Sequence, residues 1–182
     1  MLQEAAEELG VSVESLQGKF ETTPGLWGRL THDRQKYVLA VKTALAEWCT
    51  RGNLVYHGLA GQFLLRDLPG VLRVLILAPL EDRVRTLGET HPRMTRTQLE
   101  DFIRKVDHER GRWVQVTYGA DVLDTSHYDL TLNLRTLSRE SACEVIAMVA
   151  TQPRFEITAE VEIEVFAFAA ACRKRLSRIL GG

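Results

Sequence analysis

The segment Val71-Leu72-Arg73-Val74-Leu75-Ile76-Leu77-Ala78 is an almost unbroken apolar run, bracketed by Gly70 and Pro79. A strand with one wet face alternates apolar and polar residues, whereas a run like this one needs cover on both faces, as strands of parallel sheets have. Pro79 suits the first turn of a following helix through Leu87, and Glu81 and Asp82 suit its electropositive N-terminal turn. Two further units repeat the strand-to-helix order. Asn53–His57 turns through Gly58-Leu59-Ala60-Gly61 into a helix from about Gln62 to Arg66. Tyr128–Leu134 leads to a helix capped by Ser138 and running through Val149, with Ala142, Val145, Ile146 and Val149 in register. Strands alternating with helices across short connections predict an α/β fold in which these three segments are parallel strands of one sheet.

The remaining stretches are mostly helical. Leu2–Leu9 reads as a helix closed by Gly10, and Ser12–Gly28, with Pro24 and several glycines, as short helices and loop. Asp33 is expected to cap a long helix whose apolar stripe is Tyr37, Val38, Val41, Ala44, Leu45 and Trp48. Thr95 to about Tyr118 is polar, arginine-rich and helical in pattern. After Pro153, Glu160–Val165 alternates like a strand, but Phe166–Ile179 is alanine-rich with a basic end, and a helix is the favoured reading.

A chain of 182 residues is long enough for one domain with an appendage. Its net charge of −1 gives no global field for nucleic acid or an anionic membrane. Arginine far outnumbers lysine among the 23 basic residues, a bias that suits forked recognition of phosphate or carboxylate. Cys49, Cys143 and Cys172 are far apart, lack metal-ligand spacing, and are expected as buried thiols of a reducing compartment. No apolar run is long enough to span a bilayer, and the first residues lack a signal-peptide layout, so the cytoplasm is the expected location.

Ligands of doubly wound sheets sit beyond the carboxyl ends of the strands. That rule gathers His57, Gly58 and Gly61, the Ala78-Pro79 corner and the Asn133–Thr136 corner around one crevice. The Gly58–Gly61 turn could bring backbone close to a phosphate, or its glycines could simply permit a tight strand-to-helix turn. On a helix, Arg104, Asp107 and Arg110 share one face. A carboxylate between two guanidinium groups can aim both forks at one anion, as a phosphate-clamping lid requires; a solvated, ion-paired face has the same pattern. Arg83 and Arg85 lie one turn into the helix after the apolar run and are placed to reach the same crevice. No metal-binding, nucleophile-elbow or Cys/His motif is present, and G-x-x-x-x-G-K-[ST] occurs nowhere in the sequence.

Taken together, Val55–Leu65, Val74–Ala78 with Glu81-Asp82-Arg83-Val84-Arg85, Asp107-x-x-Arg110 with Trp113, Tyr118-Gly119-x-Asp121, and Tyr128-Asp129-Leu130-x-Leu132-Asn133 resemble, in order and spacing, the cytidylate-kinase-like family. This family is a branch of the P-loop nucleoside monophosphate kinases. The resemblance implies a three-layer α/β/α fold with a parallel sheet of P-loop kinase type, here lacking the P-loop strand within the chain. It implies a domain over 1–152, with a lid at about 95–118, and a linker and helical tail over 153–182. It further implies transfer of phosphate from ATP, with Mg²⁺, to CMP or a related nucleotide. Arg104, Asp107 and Arg110 would then be catalytic. His57, Gly58, Gly61, Arg83, Arg85 and Arg112 would bind substrate, Asn133 would lie on the cofactor side, and the protein would supply no metal ligands.

Two departures qualify this. No phosphate loop precedes the segment that resembles the family's first helix, so the 182 residues alone are expected to be inactive, whether the loop lies upstream or is lost. Family members commonly read Gly-Arg-Gly at the turn written Gly58-Leu59-Ala60, and Leu59 cannot hold a monophosphate as arginine does. The rival reading is a catalytically dead nucleotide-sensing or protein-assembly module. Because the family's phosphate-loop strand lies mid-sheet, strand edges left by its absence are expected to be covered by another chain, by the tail or by residues outside this numbering. Association of copies is thereby left open. Partners are expected to be nucleotides, with neither nucleic acid nor membrane.

Overall fold

The computed structural model describes residues 31–52, 54–58 and 60–180. The helix expected over Leu2–Leu9, the stretch Ser12–Gly28, Asn53, Leu59 and the terminal glycines lie outside them. In chain order the described elements are α1 (Thr31–Cys49), α2 (Gly61–Leu64), β1 (Val74–Leu77), α3 (Leu80–Thr90), α4 (Arg96–Tyr118), β2 (Leu130–Asn133), α5 (Arg139–Ala150) and α6 (Ala159–Leu180). Single 3₁₀ turns form at Thr125–His127 and Pro153–Phe155. The architecture is mixed α/β, with a small parallel sheet and mostly helices. The chain divides into two compact units, Met1–Val71 with Pro153–Gly182, and Leu72–Gln152.

In the first unit the core is formed by Leu39, Ala40, Val41, Ala44 and Leu45 of α1, by Leu64, Leu65 and Leu68, and by Val165 and Leu176 of α6. Ala46 packs on Ala169 and Cys172, small side chains that let α1 and α6 approach closely. The buried Thr43 hydroxyl donates to the Leu39 carbonyl at 2.8 Å, so its polarity is satisfied within the helix. Arg173 pairs with Glu47, and the Lys42 ammonium sits 4.9 Å from the centre of the Phe168 ring. The tail's ambiguous pattern resolves as helix because Val165, Ala169, Cys172 and Leu176 recur at three- and four-residue spacing and are all buried. A strand reading would put the apolar and the glutamate positions of 160–165 on opposite faces but would leave this stripe unused.

Asp33 lies within the first described turn of α1, which is already helical at Thr31, so it does not cap that helix. Leu54–His57 forms no strand, contrary to the sequence expectation for Asn53–His57. Among the described residues it has no neighbouring strand to pair with, and Val55 is 91% exposed. Without a ladder, an apolar run gains nothing from extended geometry. Tyr56 instead folds onto the core of this unit.

In the second unit β1 and β2 pair in parallel, with Val74 opposite Leu130 and Leu77 opposite Asn133. Both strands are shorter than the apolar runs that announce them. The described residues give this sheet two strands, and Ile76 remains 50% exposed. The ladder is pinned at its start, where the Asp129 carboxylate accepts from the backbone N–H and the Nε of Arg73 at 2.9 and 3.1 Å. Pro79 stands just before α3 as its N-cap. Thr95 caps α4 in a reciprocal box with Gln98, and Gly119, at φ 67°, ends it. Ser138 caps α5 as expected, accepting from the Ser141 N–H at 3.0 Å. Of the three thiols, Cys172 is buried and Cys49 half-buried; Cys143 is exposed, because it lies off the face of α5 that carries the buried Ala142. Among the described residues no helix is long and apolar enough to cross a membrane.

Candidate functional site

The second unit holds most of the residues singled out for phosphate chemistry. Here α3 and α4 form a helical hairpin closed by Val84, Leu99 and Ile103, with Leu80, Leu87 and Met94 packed around them. Since α3 starts directly after β1, its first turns stand at the carboxyl end of that strand. Arg83 lies in that stretch and reaches across to α4. Its Nη1 and Nη2 donate to the two Asp107 carboxylate oxygens at 2.6 and 2.7 Å, a fork-on-carboxylate geometry. These hydrogen bonds hold the Arg83 guanidinium protonated even more firmly than usual.

Where the sequence spacing puts Asp107 between Arg104 and Arg110, the structure therefore commits its carboxylate to Arg83. Arg104, Arg110 and Arg112 are exposed, and no hydrogen bond or ion pair to another described residue engages them. Arg85 donates to Asp82 at 2.6 Å along α3. Arg96 bonds Glu100 at 2.9 Å and lies 3.5 Å from Glu81, which ties the start of α4 to α3. The arginines of α3 and α4 thus divide into an ion-paired set, Arg83, Arg85 and Arg96, and a set directed to solvent, Arg104, Arg110 and Arg112.

Asn133 is the last residue of β2, level with Leu77. Its side-chain oxygen accepts from the Arg135 N–H at 3.0 Å, and the Leu134 N–H donates to the Leu77 carbonyl at 2.7 Å. This side-chain turn shapes the corner at the carboxyl end of the sheet. Arg139, at the start of α5, donates to the Thr86 hydroxyl at 2.8 Å and joins α5 to α3. Arg73 with Asp129 and Arg139 with Thr86 escaped the sequence reading of the site. They are separated by more than fifty positions, and no local pattern marks such pairs.

In the first unit His57 and Gly58 are exposed and Gly61 is half-buried. The Tyr56 ring lies over both glycines: a Cβ at Gly58 would come within 2.6 Å of the Tyr56 hydroxyl, and one at Gly61 within 2.9 Å of its ring. The glycines make room for this ring. Ala60 sets the turn with φ 61°, in the left-handed region, and its carbonyl accepts from Phe63 and Leu64 to open α2.

Among the described residues no group of three His, Cys, Asp or Glu side chains is placed to hold a metal ion. The model of the cytidylate kinase-like family matches residues 1–136. The chain is also similar to the cytidylate kinase of Desulfurococcus amylolyticus, at 29% identity over 98 residues. That match covers 53% of this chain and 51% of the relative, so the chain spans about half the length of the curated relative it matches. No solved structure matches it.

Proposed function

The chain belongs to the cytidylate kinase-like family, and from that premise we propose that it serves phosphoryl transfer from ATP to CMP or a related nucleoside monophosphate. The observation that carries the proposal is the α3–α4 hairpin within the matched region, with one fork-on-carboxylate pair and three arginines directed to solvent. Phosphoryl transfer spreads negative charge over the equatorial oxygens, and catalysis of it is mostly positioning and charge compensation. In this reading Arg104 and Arg110 bear on the transferring phosphate, Arg112 on substrate, and Arg83 fixes Asp107 so that the carboxylate does not neutralise them. Arg85 assists at the substrate, Asn133 shapes the donor side, and His57, Gly58 and Gly61 serve the acceptor. A three-layer P-loop-type body over 1–152, with the tail at 153–182, is the arrangement proposed for the family member.

Mg²⁺, when bound with ATP, would compensate charge on the phosphates. The described residues offer it no ligand cluster of their own, and no step here is routed through it. The sequence also contains no Gly-x-x-x-x-Gly-Lys-Ser/Thr, so turnover by these 182 residues alone is not expected. Leu59, where the resemblance implies an arginine, favours a second reading: a nucleotide-sensing or assembly module of the same family.

The test is calorimetric titration of the chain with CMP, UMP, AMP and ATP, alongside a coupled ADP-release assay. Binding of a monophosphate that weakens in Arg104→Ala and Arg110→Ala supports the kinase reading. Nucleotide binding unaffected by either change moves the reading to the sensing module, and the absence of any nucleotide binding overturns both.

A further inference from the structure

The face of α6 turned away from α1 carries a pattern that nucleotide chemistry does not use. Glu160, Glu164, Ala167, Ala171, Lys174 and Arg178 recur at alternating intervals of four and three residues, and all six are exposed. That spacing keeps all six along one stripe of the helix, where two charged ends flank a narrow alanine middle. It runs on the side of the helix opposite Val165, Ala169, Cys172 and Leu176, which are buried in the core of the first unit. Beside it stands Ile163, 69% exposed, an apolar cost that single-chain packing leaves in water.

The seam is ordered along its length: acidic at the N-terminal end, alanine in the middle, basic at the C-terminal end. A parallel copy would set glutamate on glutamate and cation on cation. An antiparallel copy sets each acidic position against a basic one. We propose that this seam is a homodimer interface in which a second copy of the chain docks antiparallel, Glu160 against Arg178, Glu164 against Lys174, and Ala167 against Ala171 at the crossing. One register satisfies all three pairings at once, because each pair is centred on the same point of the helix, Ala169. A two-fold axis there makes the contact isologous, so each pairing occurs twice. The alanines let the helix axes approach, and Ile163 lies beside the seam to be covered. Hydrogen bonds from its own backbone N–H and from Thr158 lower the pKa of Glu160 at the start of the helix.

Sedimentation velocity on the whole 182-residue chain tests this. The expected result is a dimer at high micromolar concentration and low salt that dissociates as salt is raised, since the end pairings are exposed and screened. The double variant Glu160→Lys with Glu164→Lys should be monomeric, as should Lys174→Glu with Arg178→Glu. An equimolar mixture of the two should form a heterodimer, and the four changes in one chain should restore the homodimer. The substituted side chains are all exposed, and circular dichroism confirms that each variant is folded. A wild-type chain that stays monomeric at low salt overturns the proposal. So does a Glu160→Lys, Glu164→Lys chain that remains dimeric, or a mixture of the two double variants that fails to associate.

Discussion

Arg83 of α3 and Asp107 of α4 bind each other through two parallel hydrogen bonds, so the carboxylate centred among the α4 arginines is spoken for by the neighbouring helix. The pair is partly exposed, at 35% and 47% of the two side chains, so solvent screens much of its attraction. Its contribution to stability is expected at about 1 kcal/mol or less. Denaturant melts of Arg83→Met, Asp107→Asn and the double variant should show small losses, with the double close to either single. A loss several times larger from one single variant would mean that the surviving partner is stranded in a desolvated site.

For Arg110 the expected balance is the reverse. It is exposed and engages no other described residue through a hydrogen bond or ion pair, so Arg110→Ala should leave the melting temperature nearly unchanged. On the proposed phosphoryl-transfer reading, in a form of the protein that turns over, loss of a cation that stabilises the transferring phosphate should lower turnover by about 10³-fold or more. ADP release with CMP, UMP and AMP as acceptors reads this directly. Unchanged turnover would reduce the arginine to surface decoration.

The sequence shows the helices well because their signals are local. Thr95 with Gln98, Ser138, Gly119 and the stripe of α6 each announce an element within a few residues. Asn53–His57 misleads because its apolar character says what the segment prefers but not whether a partner strand lies alongside. The arginine positions were likewise legible as a group. Which of them are occupied was not, because the Arg83–Asp107 bond depends on how two helices cross and not on spacing within either one.

Ala60 offers a clean test of local strain. Its φ of 61° costs an alanine roughly 1–2 kcal/mol that glycine avoids, against the greater unfolded-state freedom of glycine, about 0.4–1 kcal/mol. Ala60→Gly should therefore be neutral to mildly stabilising in a chemical melt, although it replaces a buried methyl group. Gly61→Ala, one residue on, should destabilise, because its Cβ would sit 2.9 Å from the Tyr56 ring and force the ring to move. Gly61→Ala should cost less in a Tyr56→Val background than in the parent, because the clashing ring is gone. If Gly61→Ala is as stable as the parent, the ring does not occupy the position described.

Cys49 and Cys172 should report the first unit's integrity through both reactivity and pH, with Cys143 of the second unit as the exposed reference. Cys143 is exposed and Cys172 buried, so Ellman's reagent should modify Cys143 first, Cys49 more slowly, and Cys172 only as the unit opens. Burial raises the Cys172 pKa, a shift partly offset by Lys42 and Arg175, and burial also raises Cys49 and Tyr56. The folded chain therefore holds these protons more tightly than the unfolded chain. Their contribution is fully present below the ordinary thiol value of about 8.5 and is lost as pH climbs through the raised folded values. Stability measured by denaturant at successive pH values should fall on the alkaline side. Cys172→Ala should lower stability at neutral pH by leaving a small cavity, yet make the alkaline fall shallower, with Cys49 and Tyr56 supplying what remains. An alkaline slope identical in the parent and in Cys172→Ala would show that this thiol does not titrate with unfolding and that its burial is not felt by its proton.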